Sequence, residues 1–324
     1  MSALGALPFI TAHAQTAQIR IGVQPGMSYL PFYVMEHEKL LEKRLTQAGL
    51  PASVSWLRFA NGPAMNDGLL SGSLDVVGTG IPSFLTIWAK ARGPLEVIGL
   101  AAYGSVPTVL VSRNPNVKTV ADFTEADRIA VPAANGSLQS MLLQMEAEKV
   151  FGAGNWSKLD HLMISRGHPD AAIALLSHSS EVTAHFSASP YYIQELRDPT
   201  MHAVLKAEDI TGRPISNGMM YIKKSFYTAN RQSIQQMLLA MQDSFDLIKS
   251  SPESAAKMYT SMSGDKTDIA DIVAIITAPG SIYELTPRSF KAFADFMFKV
   301  GTINRSVGAW NDLFIDEIKN LPGS

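Results

Sequence analysis

The sequence predicts an α/β protein of two lobes, each built on a parallel-rich sheet with helices on both faces, joined by a hinge with a cleft between the lobes. Three observations predict it. Short apolar runs alternate with helical stretches from residue 19 to residue 222, the pattern of strands buried on both faces and connected by helices. The alternation restarts beyond Pro107 as a second unit of similar size. A chain of 324 residues without cysteine is long enough for about two domains and for large cores that need no disulfide or metal staple.

The elements follow in order. Ile19-Arg20-Ile21-Gly22-Val23 alternates as a strand and ends in Gln24-Pro25-Gly26. Residues 29–49 read as one amphipathic helix, with Leu40, Leu41 and Leu45 on its apolar side and Gly49 as its C-cap. Residues 54–59 are a second strand, and Gly62-Pro63 opens a helix that Gly72 ends. Residues 74–78 are a third strand, the turn Thr79-Gly80-Ile81 leads to a helix opened by Pro82, and residues 95–102 are a fourth strand. Beyond Pro107, residues 108–111, 128–132, 161–164, 181–186 and 203–205 read as strands, with helices opening at Asn135-Gly136-Ser137, Pro169 and Ser189-Pro190. Residues 219–222 are one more strand, and from Arg231 the chain is nearly all helix. The expected division is lobe one at 15–106 and 217–324 and lobe two at 107–216, with crossings near Pro107 and near 214–217. Two crossings make a hinge, and ligands of such folds sit in the cleft between lobes.

Composition removes several classes of function. The 27 basic and 29 acidic residues give a net charge of −2, which supplies no global field for nucleic acid or an anionic membrane. With 46% apolar and 17% charged residues the chain is not of disordered composition. The absence of cysteine excludes thiol nucleophiles, thiolate metal sites and lipid attachment through cysteine. Residues 1–14 are short, small and apolar and end Ala12-His13-Ala14, like the later part of a secretory signal and its small-x-small cleavage site, although a basic start is missing. The alternative is an apolar N-terminal tail. The expected location is the periplasm, without lipidation. No other stretch reaches the ~18 apolar residues of a spanning helix. His-Glu-x-x-His, Gly-x-Ser-x-Gly and the Gly-x-x-x-x-Gly-Lys loop are all absent, and Gly78-Thr79-Gly80 lacks the third glycine of a dinucleotide fingerprint. No catalytic residue, metal or cofactor is expected.

Phe59-Ala60-Asn61-Gly62-Pro63, a helix, Gly72-x-Leu74-Asp75 and Gly78-Thr79-Gly80-Ile81-Pro82 follow one another in order. Pro31-Phe32-Tyr33 precedes them, and Val117-x-x-Val120-Ala121-Asp122-Phe123, Arg128-Ile129-Ala130-Val131-Pro132 and Pro169-Asp170-Ala171 follow. This succession, over essentially the whole mature chain, resembles the nitrate, sulfonate and taurine group of ABC-transporter substrate-binding proteins. The resemblance implies a type II periplasmic binding fold. It also implies a monomer that captures a small, usually anionic solute by closing its lobes and delivers it to an inner-membrane ABC permease. The chain departs from the family's pattern at residues 133–140 and 183–189, which leaves the ligand open among sulfonate, carboxylate, nitrate, bicarbonate and a neutral pyrimidine. Apolar and aromatic residues near the cleft lean toward a small organic anion. Other uses of the fold are a thiamine-precursor-type enzyme, a sulfinate-cleaving enzyme (disfavoured without cysteine) and a ligand-sensing module for a signalling receptor.

In open α/β sheets ligands lie beyond the carboxyl ends of the strands. The loops there nominate Gly26, Met27, Asn61, Ile81, Pro82, Ser83, Asn135, Gly136, Ser137, Leu138, His185, Ser187, Ser189 and, at the return crossing, Asn217 as ligand-binding residues. Several loops run into helix N-termini, whose free N–H groups and positive dipole end hold an anion with little formal charge. Ser83, Ser137 and Ser189 read either as hydroxyl donors to the ligand or as N-caps. His185 reads either as a donor to an anion or as a hydrogen-bonded structural histidine. Arg166 is a candidate cation or a solvated surface residue, Arg58 is expected in an ion pair, and Tyr103, Phe32 and Tyr191 are candidate stacking partners or core residues.

Overall fold

The structure, a computed structural model, describes residues 17–50, 52–178 and 180–324. The segment read as a secretory signal lies outside the described residues.

The first lobe runs β1 (Ala17–Val23), α1 (Leu30–His37), α2 (Leu40–Gln47), β2 (Ala52–Arg58), α3 (Gly62–Ser71), β3 (Val76–Thr79), α4 (Ile81–Lys90) and β4 (Val97–Ala102). The second follows as β5 (Thr108–Ser112), β6 (Ile129–Val131), α5 (Leu138–Phe151), β7 (Met163–Ser165), α6 (His168–Leu176), β8 (Ala184–Ala188), α7 (Tyr191–Leu196), β9 (His202–Lys206) and α8 (Ala207–Thr211). The chain then returns through β10 (Met219–Lys223) and closes with α9 (Lys224–Ala229), α10 (Arg231–Ser250), α11 (Pro252–Ser263), α12 (Ile269–Thr277) and α13 (Phe290–Lys299).

The strands form two five-stranded sheets, ordered β2-β1-β3-β10-β4 and β7-β6-β8-β5-β9. In the first, β1 pairs parallel with β2 and β3, whereas β10 is antiparallel to both β3 and β4. In the second, β6 pairs parallel with β7 and β8, and β5 is antiparallel to β8 and β9. Each sheet thus has four strands in one direction and one reversed. The reversed strand is in each case the first after a crossing. Helix-connected strands all point their carboxyl ends at the cleft, while a segment arriving from the other lobe starts at the cleft and runs away from it.

Residues 29–49, read as one helix, are two. The break is at Lys39, whose φ of 51° is left-handed. Residues 30–35 of α1 are all buried, α2 buries only Leu41 and Leu45, and the left-handed residue re-aims the chain between these unlike faces. Helix α10 packs on both, and Arg44 of α2 clasps Asp243 of α10 with two N–H···O bonds of 2.7 and 2.5 Å. The short helices α8 and α9 fall where no helix was expected.

Aromatic side chains fill the core of the first lobe. Phe84 on α4 stacks on Tyr221 of β10 with ring centroids 4.9 Å apart and meets Phe290 and Phe314 at 5.8 Å each. Phe314 belongs to the last segment of the chain, which adds a bridge to edge strand β4 through Ile315 N–H and Gly99 O at 3.0 Å. One of the two edges of the first sheet thus gains a backbone contact at Gly99.

The two crossings are tied to each other. Asn217 donates its backbone N–H to Gly104 O at 2.9 Å, accepts from Val106 N–H with Oδ1, and reaches Thr108 Oγ1 at 3.4 Å with Nδ2. Gly104 has φ 121° and would place a Cβ 2.5 Å from Ile282 O, so only glycine fits this conformation beside the Ser105–Ile282 bridge. Further bonds join the lobes directly: Ser83 Oγ donates to Gly136 O at 2.9 Å, Met27 N–H to Ser189 O at 2.9 Å, and Lys299 Nζ to Glu148 Oε2 at 2.6 Å.

Phe84→Ala removes a fully buried ring that touches three other rings. Urea unfolding followed by circular dichroism should register a loss of about 3–5 kcal/mol. A loss below ~1 kcal/mol would mean that Phe290 and Phe314 close the space.

Candidate functional site

Between the carboxyl ends of the two sheets lies a cavity of about 40 Å³, room for about three water-sized positions. Gln24, Ser28, Tyr29, Gly62, Thr79, Gly80, Ser83, Tyr103 and Asn217 line it from the first lobe and the return crossing. Pro132, Ser137, Leu138, Gln139, His168 and Ala188 line it from the second. None of the lining residues is Lys, Arg, Asp or Glu.

Helix starts provide the polarity. Gly62, Gly80, Ser137-Leu138 and His168 stand at the N-termini of α3, α4, α5 and α6. Asn61 caps α3 by accepting from Ala64 N–H at 3.0 Å, and Ser137 caps α5 by accepting from Ser140 N–H at 3.1 Å. Helices α4 and α6 have no side-chain cap, so their first N–H groups keep their pull on an anion. Gly62 is required by packing: a Cβ there would lie 2.1 Å from Ser83 Oγ and 2.7 Å from Thr79 Oγ1, which would push α3 away from the cavity.

Gln24 organises the floor. Its Oε1 accepts from Tyr29 OH at 2.8 Å and from Thr79 Oγ1 at 3.1 Å, and its Nε2 donates to Ala60 O at 3.2 Å. Tyr103, buried on the same floor, has a hydroxyl without a hydrogen-bond partner among the described residues. Tyr29 sits beside it, ring centroids 5.4 Å apart, giving its hydroxyl proton to Gln24 and keeping its lone pairs toward Tyr103. Burial pushes both phenols up, so they remain donors. On the facing wall, His168 Nε2 lies 3.2 Å from Gln139 Nε2. Burial, helped by neighbouring His185, holds the His168 imidazole well below the usual histidine range, so it is neutral.

The structure brings Ser83, Ser137, Leu138 and Asn217 to the cavity. The other nominated residues surround it without lining it. Gly26 and Met27 bracket the loop that Met27 N–H ties to Ser189 O. Asn61 is spent on capping and borders an outer groove with Arg166. Ile81 and Pro82 are buried in the first turn of α4. Asn135 is exposed, and Gly136 gives its carbonyl to Ser83. Ser187 and Ser189 are inaccessible, the latter donating to Pro107 O at 2.6 Å. His185 is also inaccessible, because β8 turns its ring away from the cavity and between His168 and Glu195. Arg166 pairs with Glu181 at 3.0 Å and Arg58 with Glu36. Phe32 packs in the core against Tyr103, and Tyr191 stacks on His168. Gln24, Ser28, Tyr29, Thr79, Gln139 and His168 were not nominated. Each lies within two positions of a nominated residue or in a loop already placed at a strand end; the signal was the loop, and the pointing of individual side chains is not written in it. Among the described residues no group of three or more His, Asp or Glu side chains is placed to hold a metal, and no helix is long and apolar enough to cross a membrane.

The architecture has solved counterparts. The alkanesulfonate-binding protein of Xanthomonas axonopodis pv. citri, bound to MOPS, superposes with a TM-score of 0.72 at 20% identity over 90% of this chain and 96% of that one. The periplasmic aliphatic sulphonate-binding protein of Escherichia coli gives a TM-score of 0.68 at 20% identity over 92% and 99%. The fold is that of the two-lobed periplasmic binding proteins. The periplasmic nitrate-binding protein of Synechocystis PCC 6803 shares it with a TM-score of 0.61 at 14% identity, over 80% of this chain and 70% of its own. In sequence, a candidate aliphatic sulfonates-binding protein of Escherichia coli (strain K12) is 34% identical over 116 residues, which are 35% of this chain and 34% of that protein. The match therefore spans about a third of the relative's length. No family model matches the chain.

Tyr103→Phe deletes a buried hydroxyl that stands beside the Tyr29 hydroxyl and has no partner in hydrogen-bond geometry among the described residues. Thermal and urea unfolding of the ligand-free variant should show unchanged or slightly higher stability, by up to about 1 kcal/mol. A loss of more than that would mean the hydroxyl has a partner within the fold.

Proposed function

We propose that this chain is the periplasmic solute-binding receptor of an ABC importer, a monomer that captures a small organic anion of sulfonate or carboxylate type between its lobes and hands it to an inner-membrane permease. The division at residues 106/107 and 216/217 belongs to the same reading, with the hinge at the crossings that Asn217 ties together. The observation that carries it is the cavity itself: four helix N-termini, neutral donors and a buried Tyr103 hydroxyl with no partner in hydrogen-bond geometry among the described residues converge where two lobes meet, with no charged side chain in the lining. Such a lining favours an anion through N–H groups and hydroxyls that need no reorganisation. It excludes a cation, which would find no carboxylate there.

The cavity suits a charged head group. Leu138 and Asn217 also line a neighbouring pocket of about 520 Å³, where Val106, Pro107, Ile215 and Ile282 stand beside Glu208, Asp209 and Arg213, large enough for a short carbon tail. A ligand with its head on the helix starts and its tail toward the hinge would contact both lobes, and so would favour the closed state by its differential affinity. The sulfonate-binding relatives in sequence and fold support this choice over a bare inorganic ion.

The test is a thermal-shift and calorimetry panel of ethanesulfonate, benzenesulfonate, butyrate, nitrate and uracil. A ligand at 100 times its dissociation constant should stabilise the chain by about 2.7 kcal/mol. Tyr103→Phe should weaken it by about tenfold, the value of one hydrogen bond to a charged group. Recovery of the ligand chemically altered would replace the receptor reading by an enzymatic one. An unaffected Kd in Tyr103→Phe would move the ligand out of this cavity.

A further inference from the structure

A chain of buried titratable side chains ends at the cleft. Glu195 on α7 and His185 on β8 are both wholly inaccessible. His185 Nδ1 lies 2.6 Å from Glu195 Oε1, and His185 Nε2 lies 2.8 Å from His168 Nδ1. His168 then presents Nε2 at the cavity wall, beside Gln139. Glu195 Oε2 has no hydrogen-bond partner among the described residues, and the carboxylate's one ion-pairing neighbour there is His185. A buried carboxylate facing imidazoles is costly unless a proton neutralises it.

The hydrogen bonds admit two polarities that differ by one proton. With Glu195 ionised and both histidines neutral, His185 Nδ1–H donates to Glu195, His168 Nδ1–H donates to His185 Nε2, and His168 Nε2 is a lone pair at the cavity wall that accepts from Gln139 Nε2–H. The net charge is then −1. When water supplies one proton to the inner pair, the outer bonds reverse. His185 Nε2–H donates to His168 Nδ1, the Gln139 amide turns its Nε2 away from the new hydrogen on His168 Nε2, His168 Nε2–H is a donor at the cavity wall, and the net charge is zero. An anion in the cavity is repelled by the first arrangement and is met by a hydrogen-bond donor in the second.

We propose that Glu195, His185 and His168 form a proton relay that couples occupation of the cleft by an anion to the uptake of one proton from water. The proposal rests on the reading of the cleft as an anion site. Glu195 and His185 are positioning residues, acting through His168. Burial keeps the extra proton off His168 itself, and only the polarity of the bonds reaches the ligand.

Other groups facing the relay do not supply this proton. Tyr191, stacked on His168 with centroids 6.1 Å apart, and Tyr192 share α7 with Glu195. Tyr29 and Tyr103 face His168 across the cavity, and Tyr33 and Tyr259 stand behind Tyr191. Burial raises all six phenols, which stay protonated. Asp265, behind Tyr191, accepts from Thr267 N–H at 2.8 Å, and Glu208 lies beside Tyr192. Asp170, on the same helix as His168, is exposed, and Gln139 of α5 carries no charge. Strands β5 and β6, which flank β8, carry no titratable side chain.

Ethanesulfonate and nitrate stay ionised between about pH 5 and 9, so any pH dependence of their binding belongs to the protein. Isothermal titration calorimetry in phosphate and in Tris should show about one proton taken up per anion bound on the alkaline side of the relay's titration. Affinity should fall there about tenfold per pH unit and level off on the acid side, because the anion binds the protonated relay. In Glu195→Gln the inner pair is neutral without the extra proton, so both the uptake and the slope should vanish. A merely structural role for Glu195 would change stability and leave the slope. A variant this deeply buried can fail to fold, and the wild-type uptake then decides alone. Anion binding without proton exchange at any pH overturns the relay and leaves the receptor reading standing, as does a slope retained in folded Glu195→Gln. Binding of neither anion at any pH overturns both.

Discussion

The rest of the structure depends on the place where the chain crosses between lobes twice. One asparagine, Asn217, binds the outgoing strand connection to the returning one through its backbone and both ends of its side chain. The reversed direction of β5 and β10 follows from these crossings, as does the facing of both sets of strand ends onto one gap. Because Asn217 also lines that gap, the residue that ties the two crossings together also meets what the cavity contains.

On the proposed reading, the cleft is an anion site built by a protein of almost balanced charge. A lysine or arginine would supply attraction at long range, but it would also bind water and buffer ions and require a flexible stem to be ordered. Backbone N–H groups at helix starts are already fixed by the helices that follow them, and the prolines in the first turns of α3, α4 and α6 occupy positions where no N–H is needed by the helix. Selection among anions then falls to the shape of the cavity and to neutral donors such as Tyr103, whose buried hydroxyl has a reason to seek a ligand.

Much of the fold was legible because it is periodic. The alternation of strand and helix, the restart after Pro107 and the return near 214–217 are one-dimensional signals of chain direction, and helix starts marked by Pro and Ser were found within a residue or two. What stayed hidden is local geometry. The break at Lys39 needs a left-handed residue that lysine does not announce. The candidate site was legible to the level of loops. Ser83 and Ser137 reach the cavity while Ser187 and Ser189 do not, because alternate residues of a strand face opposite sides and a loop's twist settles which side is the cleft. His185 and His168 are 17 residues apart, and nothing in sequence says that they share one hydrogen bond.

The uneven threading of the two lobes has a consequence for how the chain acquires its shape. The second sheet is drawn from one unbroken stretch, β5 to β9, whereas the first lacks its fourth-position strand, β10, until residue 219 and its outer helices until later still. The Arg44–Asp243 clasp joins residues 199 positions apart. Contacts of such long range are slow to form, so the middle of the chain can reach its native arrangement while both ends are still searching. The lobe that contains the amino terminus is the last to be finished, because it alone must wait for both ends of the chain.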